Sequence, residues 1–409
     1  MKIKDIGTVV TGKTPATSHT EFYDGDYMFV TPTELHGGYK VSSSEKTITD
    51  EGIKSIKSNT IDGISVLVGC IGWDMGNVAM CFEKCATNQQ INSITKIRDC
   101  FNPYYLYYWL STKKDFLFSI ASVTRTPILS KGVFEEIEIP NTDRLEQDKI
   151  SKMLLLLDQK IEYNAAVNDN LQQQLRLMYD YWFNQFDFPN EEGKPYRASG
   201  GKMQYSFRLK RDIPEGWTEE SVISNSISVP IKPGVERFST KSYLATADVN
   251  GTRLSSGSLI DYETREGRAN MQPTVSSVWF AKMKNSIKHL FLNREMKQLI
   301  DSTILSTGFC GLQCTEKSFE YISAFIEHSY FEDVKNILAH GATQESVNND
   351  DLLGLGMLVP TSEVLELFHA KAKPLYAQIS RNICENQKLT EIRDWLLPML
   401  MNGQATISD

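Results

Sequence analysis

The sequence predicts a mixed α/β (α+β) chain. Two similar globular domains are separated by two long helices that pair as an antiparallel coiled coil, with pseudo-two-fold symmetry. Three observations carry this. A stripe through Ile150, Leu154, Leu157, Ile161, Asn164, Asn168, Leu171, Leu175, Met178 and Trp182 alternates steps of four and three, the heptad spacing that keeps one face toward a partner helix. The same stripe recurs 218 residues on (Ile150 to Phe368), through Phe368, Ala372, Leu375, Ile379, Asn382, Asn386, Leu389, Arg393, Leu396 and Leu400. The segments before the two stripes also repeat one another in order.

The first domain is expected over 1–140. MKIKDIGTVV opens with a short strand pattern, and YMFVTPTEL, GISVLVGCIGW, VAMCF and INSITKI read as strands by their apolar and β-branched content. Asn102-Pro103 is an N-cap and first-turn pair, so YYLYYWLSTKKDF is a helix. After a polar stretch, VFEEIEIP reads as a closing strand ending at Pro140.

The central long helix occupies 141–186. A linker or docking loop rich in Pro, Gly and charge follows over 187–212. The second domain spans 213–360, opening with Ile213-Pro214-Glu215-Gly216-Trp217. It repeats the first loosely: Tyr243 lies 216 residues after Tyr27, Tyr321 216 after Tyr105, and Pro360 220 after Pro140. The second long helix and a tail fill 361–409, with Pro374 expected to kink it near its start and Arg393 weakening its stripe.

Laid antiparallel, the stripes put Asn164 opposite Asn386 and Asn168 opposite Asn382. A buried Asn costs stability unless it meets a polar partner, so such pairs set register. One polypeptide then mimics a homodimer.

Composition narrows the function. With 409 residues, 41% hydrophobic and 23% charged, the chain has room for two or three domains. No run is long and apolar enough for a membrane span or a secretory signal. Seven cysteines without framework spacing read as reduced thiols, implying a cytoplasmic protein. The net charge of −8 excludes an indiscriminate basic surface. The two domains are each slightly acidic, with 14 basic against 16 acidic side chains in 1–140 and 13 against 18 in 213–360. Any DNA contact must come from local clusters.

The first stripe covers 32 residues (150 to 182), or roughly 48 Å at ~1.5 Å per residue. Two unlike heads at the ends of such a rod would suit an asymmetric, bipartite duplex target.

Over essentially its whole length the chain resembles the specificity subunit of type I restriction–modification systems. The resemblance rests on Pro140 followed by Leu145-Glu146-Gln147, Ile150 and Leu157-Asp158. It rests also on FDFPNEEGKPYRASGGKMQYSF closing with IPEGW, on Gly341-Ala342-Thr343-Gln344, and on Leu396-Leu397-Pro398-Met399-Leu400 with Gly403. The chain departs from the pattern in lacking an IPEGW opening to its first domain and in carrying Glu366-Leu367 where the first helix has Glu-Gln. The resemblance implies two target-recognition domains and no catalysis. It implies DNA selection for two methyltransferase (modification) subunits and for restriction motor-nuclease subunits. The chain would bind no cofactor, with S-adenosylmethionine and ATP held by those partners.

Candidate DNA contacts fall in clusters. Thr124-Arg125 and Thr343-Gln344 lie in polar loops before each closing strand. Arg and Gln read guanine and adenine edges bidentately, and Thr suits phosphate. Arg265 and Arg268 flank a glycine, and Lys282, Lys284 and Lys288 open the densest basic run. Trp73 sits in a Gly72–Asn77 loop whose glycines permit close backbone approach. Against these stands the bland alternative of an ordinary solvated surface, with Trp73 in the core.

Other chemistry fares worse. Asn102-Pro103-Tyr104-Tyr105 resembles an adenine-methyltransferase motif, yet no glycine-rich cofactor loop accompanies it. Cys81-x3-Cys85 and Cys310-x3-Cys314 lack the tighter spacing of zinc hairpins, so no metal is expected. A self-sufficient methyltransferase and a coiled-coil scaffold with protein-binding heads are the competing classes.

Overall fold

The computed structural model describes residues 1–122, 125–207, 209–255 and 257–407. It divides into two compact units, Met1–Lys160 with Leu389–Asp409, and Ile161–Lys388.

The first unit is built on two four-stranded sheets. One has the order Thr8–Thr11, Ile91–Thr95, Ser65–Gly69, Val78–Cys81, antiparallel throughout. Ser65–Gly69 and Ile91–Thr95 are buried along their whole lengths, which is why they read as continuous apolar runs rather than alternating ones. The second sheet has the order Lys46–Ile48, Tyr23–Val30, Cys85–Thr87, Thr60–Ile61, with Tyr23–Val30 and Cys85–Thr87 parallel. Helix Pro103–Ser111 lays Tyr105, Leu106, Tyr108, Trp109 and Leu110 into the core.

Asn102 caps this helix, accepting from the backbone N–H of Tyr104 at 2.8 Å and of Tyr105 at 3.2 Å. Its amide nitrogen donates to Asp148 at 2.6 Å. The closing segment differs from expectation. Lys131–Glu135 is a short helix, capped where Ser130 Oγ accepts from the Val133 N–H. The cap and the burial of Phe134 outweigh the β-branched pattern, and only Glu138 makes a strand-like bridge, to Lys2.

The second unit repeats the plan. Its sheets run Ser228–Pro230, Phe309–Cys314, Ser277–Ala281, His289–Leu292 and Ser258–Asp261, Thr240–Leu244, Thr303–Ser306, Ala269–Met271. The parallel strand pairing, Thr240–Leu244 with Thr303–Ser306, falls at the same place as in the first unit. Helix Phe319–Glu327 takes the role of Pro103–Ser111.

The stretch expected to be a linker is more than that. Phe186 and Phe188 are in the hydrophobic core with Trp217, and Met203–Ser206 pairs with Arg211–Pro214 as a hairpin. Its polar composition hides one aromatic anchor, Phe188, next to Phe186 at the end of the segment expected to be helix.

The long helices are Arg144–Tyr179, continued by a π-helical turn at Asp180–Asn184, and Ser362–Met401. All twenty stripe positions are buried or half-buried. Within the second unit, Asn164 Nδ2 donates to Asn386 Oδ1 at 2.9 Å, and Asn382 Nδ2 donates to Asn168 Oδ1 at 2.8 Å. Trp182 meets Phe368 edge-on at 5.5 Å between ring centroids. In each of these pairs the residue later in one helix faces the earlier one in the other, so the helices are antiparallel.

Within the first unit, Asp158 accepts from Arg393 at 2.8 Å and from the Tyr108 hydroxyl at 2.6 Å. Arg393 therefore does not weaken its stripe; a buried carboxylate meets it. Pro374 does not interrupt the second helix, which is continuous over 40 residues. Proline removes one donor, and the neighbouring apolar contacts of Phe368, Ala372 and Tyr376 in the core keep the helix going.

One carboxyl on this scaffold gives a pH prediction. Burial pushes Glu327 up to about 7, against the opposing charge of Arg176 and a 2.7 Å hydrogen bond from Gln172. A raised carboxyl favours the fold in its neutral form. Its contribution is complete below the usual value of 4.5 and is lost as pH rises through about 7. Glu327→Gln is expected to flatten this decline, so that melting temperature falls less across that window than in the parent; parallel curves would contradict it.

Candidate nucleic-acid interface

In the first unit the hairpin between Ser65–Gly69 and Val78–Cys81 carries the Gly72–Asn77 loop. The loop before the closing segment packs against it. Gly72 N–H donates to Pro127 O at 3.0 Å, Leu129 N–H to Cys70 O at 2.8 Å, and Ile71 bridges Ile128. The fold thus brings the Trp73 and Arg125 loops side by side, 52 residues apart in sequence (73 to 125).

Trp73 is 85% exposed, so the core alternative is wrong. Its turn needs glycine on both sides: Gly72 has φ +77°, and Gly76 has φ +80° with a Cβ position only 2.9 Å from the Lys114 backbone. Side chains brace the turn. His36 Nε2 lies 2.9 Å from Asp74 Oδ1 and 3.1 Å from Asn77 Nδ2, and Lys114 donates to Asn77 Oδ1 at 3.0 Å. Arg125 is exposed, while Thr124 lies outside the described residues.

The second unit places an equivalent pair of loops together. The hairpin between Ser277–Ala281 and His289–Leu292 carries Lys282, Lys284 and Lys288. The loop carrying the exposed Thr343 and Gln344 lies against it: Lys284 N–H donates to Glu345 O at 3.0 Å, Val347 N–H to Lys282 O at 3.0 Å, and Met283 bridges Ser346. Lys284 is tied to Glu345 at 2.8 Å, which mutes its charge.

Arg268 belongs to this neighbourhood, since its carbonyl accepts from Thr307 and Gly308 O accepts from Lys282. Arg265 is engaged locally. Its guanidinium sits 4.0 Å from the Tyr262 ring centroid and donates to Tyr262 O at 2.5 Å. The asparagines Asn164, Asn168, Asn382 and Asn386 are in the helix seam, apart from these loops in role.

Sequence reasoning missed what lies beneath the second hairpin. Lys335 is completely buried and donates to Ala281 O and Ser286 O, both at 3.1 Å, and to Glu332 Oε1 at 2.8 Å. His289 Nε2 approaches the same carboxylate at 2.9 Å. Burial pushes the Lys335 ammonium down, opposed by Glu332. Burial pushes Glu332 up, but the hydrogen bonds of His289 and Lys335 outweigh it and leave the carboxyl below its usual range. The available signal was a lysine one turn after Phe331 on the apolar face of Ser329–Leu338.

Cys81 and Cys85 Sγ lie 3.4 Å apart as free thiols, and among the described residues no group of three or more His, Cys, Asp or Glu is placed to hold a metal. No helix there is long and apolar enough to cross a membrane.

Residues 1–173 match the family model of the type I restriction modification DNA specificity domain. The specificity subunit of type I restriction enzyme MjaIX from Methanocaldococcus jannaschii is 26% identical over 431 aligned residues, covering 100% of this chain and 93% of that protein. That of HindI from Haemophilus influenzae is 22% identical, covering 64% of this chain and 68% of its own length. A crystal structure of the type I restriction–modification S subunit from M. genitalium shares the fold, with a TM-score of 0.54 at 16% identity across 98% of this chain and 95% of that one.

Proposed function

We propose that this chain is a type I restriction–modification specificity subunit, as its matches suggest, and that it reads an asymmetric, bipartite DNA target for partner subunits that methylate adenine and restrict. The family's subunits are non-catalytic. One observation carries the two-part reading: the same hairpin-and-loop pair recurs at the same place in both units, with unlike side chains. Trp73 and Arg125 on one pair, and Lys282, Lys288, Thr343 and Gln344 on the other, would read different half-sites. Arg125 and Gln344 suit base edges, and the lysines and threonines (Thr124 included) suit phosphates. Arg268 joins the second set. Arg265 and Lys284, already engaged, contribute less.

Partner subunits have surface to dock on. Leu156, Tyr163 and Leu177 lie exposed at multiples of seven along the first long helix, and Ile392 and Trp395, one turn apart, lie exposed on the second. These faces would take two methyltransferase subunits and, through them, the motor-nuclease subunits, in the cytoplasm. S-adenosylmethionine and ATP would belong to those partners.

The test is duplex binding by the assembled complex at varied salt. Phosphate neutralisation gives a steep salt slope, and affinity should drop for substitutions in either half-site. Arg125→Ala should change discrimination in one half-site only. Equal loss across unrelated sequences would reduce it to a phosphate contact, and sequence-blind binding by the parent complex would refute the function.

A further inference from the structure

Each unit ends its central hairpin in a large exposed apolar side chain, a chemistry that base-edge and phosphate recognition leaves unused. In the first unit it is Trp73, 85% exposed; in the second it is Ile287, 65% exposed. Other apolar side chains, such as Leu259 and Ile337, also reach solvent, and singly exposed hydrophobics need no explanation. Trp73 and Ile287 differ in lying in the equivalent hairpin loop of each compact unit.

They also differ in being held firmly. Besides the bond to Pro127, the Trp73 turn is closed by Met75 N–H to Gly72 O at 3.3 Å and Gly76 N–H to Gly69 O at 2.9 Å. The Ile287 turn is gripped on both sides. Asn285 N–H donates to Asn336 Oδ1 at 2.8 Å, and Lys335 donates to the Ser286 carbonyl. A braced turn presents its apolar group without a further ordering cost on binding. Finally, each hairpin has cations in it or in the loop against it: Arg125 lies in the loop that meets Gly72 through Pro127, and Lys282 and Lys288 lie in the second hairpin itself.

We propose that Trp73 and Ile287 are wedges that enter a base step of the half-site bound by their unit and partly unstack it. The inference rests on the DNA-reading function above. An indole between bases exchanges water for two π-faces, and aliphatic wedges act by bulk in the same way. The flanking cations would hold the phosphates of the opened step. Because pyrimidine–purine steps unstack most easily, each half-site should prefer such a step where the wedge enters, without a base-edge contact there.

The experiment uses the full chain assembled with its partner subunits and the target duplex defined by methylated adenines in host DNA. Single 2-aminopurines are placed along both half-sites, away from the methylated adenines, where partner-driven flipping would itself raise the signal. Binding should brighten one position in each half-site. Trp73→Ala should abolish one of these and weaken binding about ten- to a hundredfold, while Trp73→Phe keeps most of both. Ile287→Ala should abolish the other with a smaller loss. Tight, sequence-specific binding with no brightening, or brightening that survives both alanine variants, overturns the wedge and leaves the DNA reading standing. A parent complex that does not prefer the target over unrelated duplex overturns both.

Discussion

Lys335→Met is expected to destabilise the second unit by about 3–5 kcal/mol, the range for breaking a buried ion pair by removing one partner. The lysine is completely buried and Glu332 nearly so. Its loss leaves the Glu332 carboxylate with His289 alone and takes the ammonium from the carbonyls of Ala281 and Ser286, the second of which keeps the Lys288 N–H. Burial pushes the Lys335 ammonium down, while Glu332, against its own burial, is held below its usual range by the bonds from His289 and Lys335. A buried ion pair set against apolar replacements of similar size contributes little to net stability, so this one acts as a brace. The double variant Glu332→Leu with Lys335→Met should therefore recover most of the loss in chemical denaturation. Hydrogen exchange should still show a loosened 282–288 hairpin, because the carbonyl contacts are not restored. A single variant that melts like the parent would mean water reaches the site.

Asp158→Ala should cost the first unit about 3 kcal/mol, the lower end of the same range, since Arg393 is partly exposed and keeps Asp394 as a second partner. Burial pulls the Arg393 guanidinium down while Asp158 and Asp394 more than offset it, so its charge is retained. The Tyr108 hydroxyl, held by the same carboxylate and pushed up by burial and by Asp158, would also lose its acceptor. Asp158→Asn, which keeps hydrogen bonding without charge, should lie between. Urea midpoints read both, and an Ala variant within experimental scatter of the parent would show that the network is dispensable.

Much of the architecture was legible because it is periodic. Two stripes of identical spacing specify two long amphipathic helices whatever surrounds them, since heptad geometry is local. Strands such as Ser65–Gly69 and Ile91–Thr95 were readable for a similar reason: burial on both faces writes itself as an unbroken apolar run. The Asn102 cap followed from its side chain and the proline after it. Where local preferences were finely balanced, reading failed. VFEEIEIP has strand composition, yet one serine cap and one buried phenylalanine turn its start into a helix. The polar stretch after the first long helix concealed Phe188 in the core.

The candidate interface was legible only in pieces. Trp73, Arg125, Lys282 and Gln344 stood out by residue type, but nothing in their spacing says which loops touch. That depends on hydrogen bonds such as Gly72 to Pro127 and Lys284 to Glu345, made between loops far apart in the chain. Nor could composition separate a free cation from an engaged one, as Arg265 on Tyr262 and Lys284 on Glu345 illustrate.

By itself, then, the sequence determined the repeat, the helix pair and the residue types at the candidate interface, all of which are properties of pattern along one dimension. Only the tertiary structure decided that Arg393 is answered by Asp158, that Lys335 braces a hairpin from below, and that two apolar side chains stand exposed in equivalent hairpin loops. Each of these depends on which groups lose their water together, and that is a property of packing between distant segments.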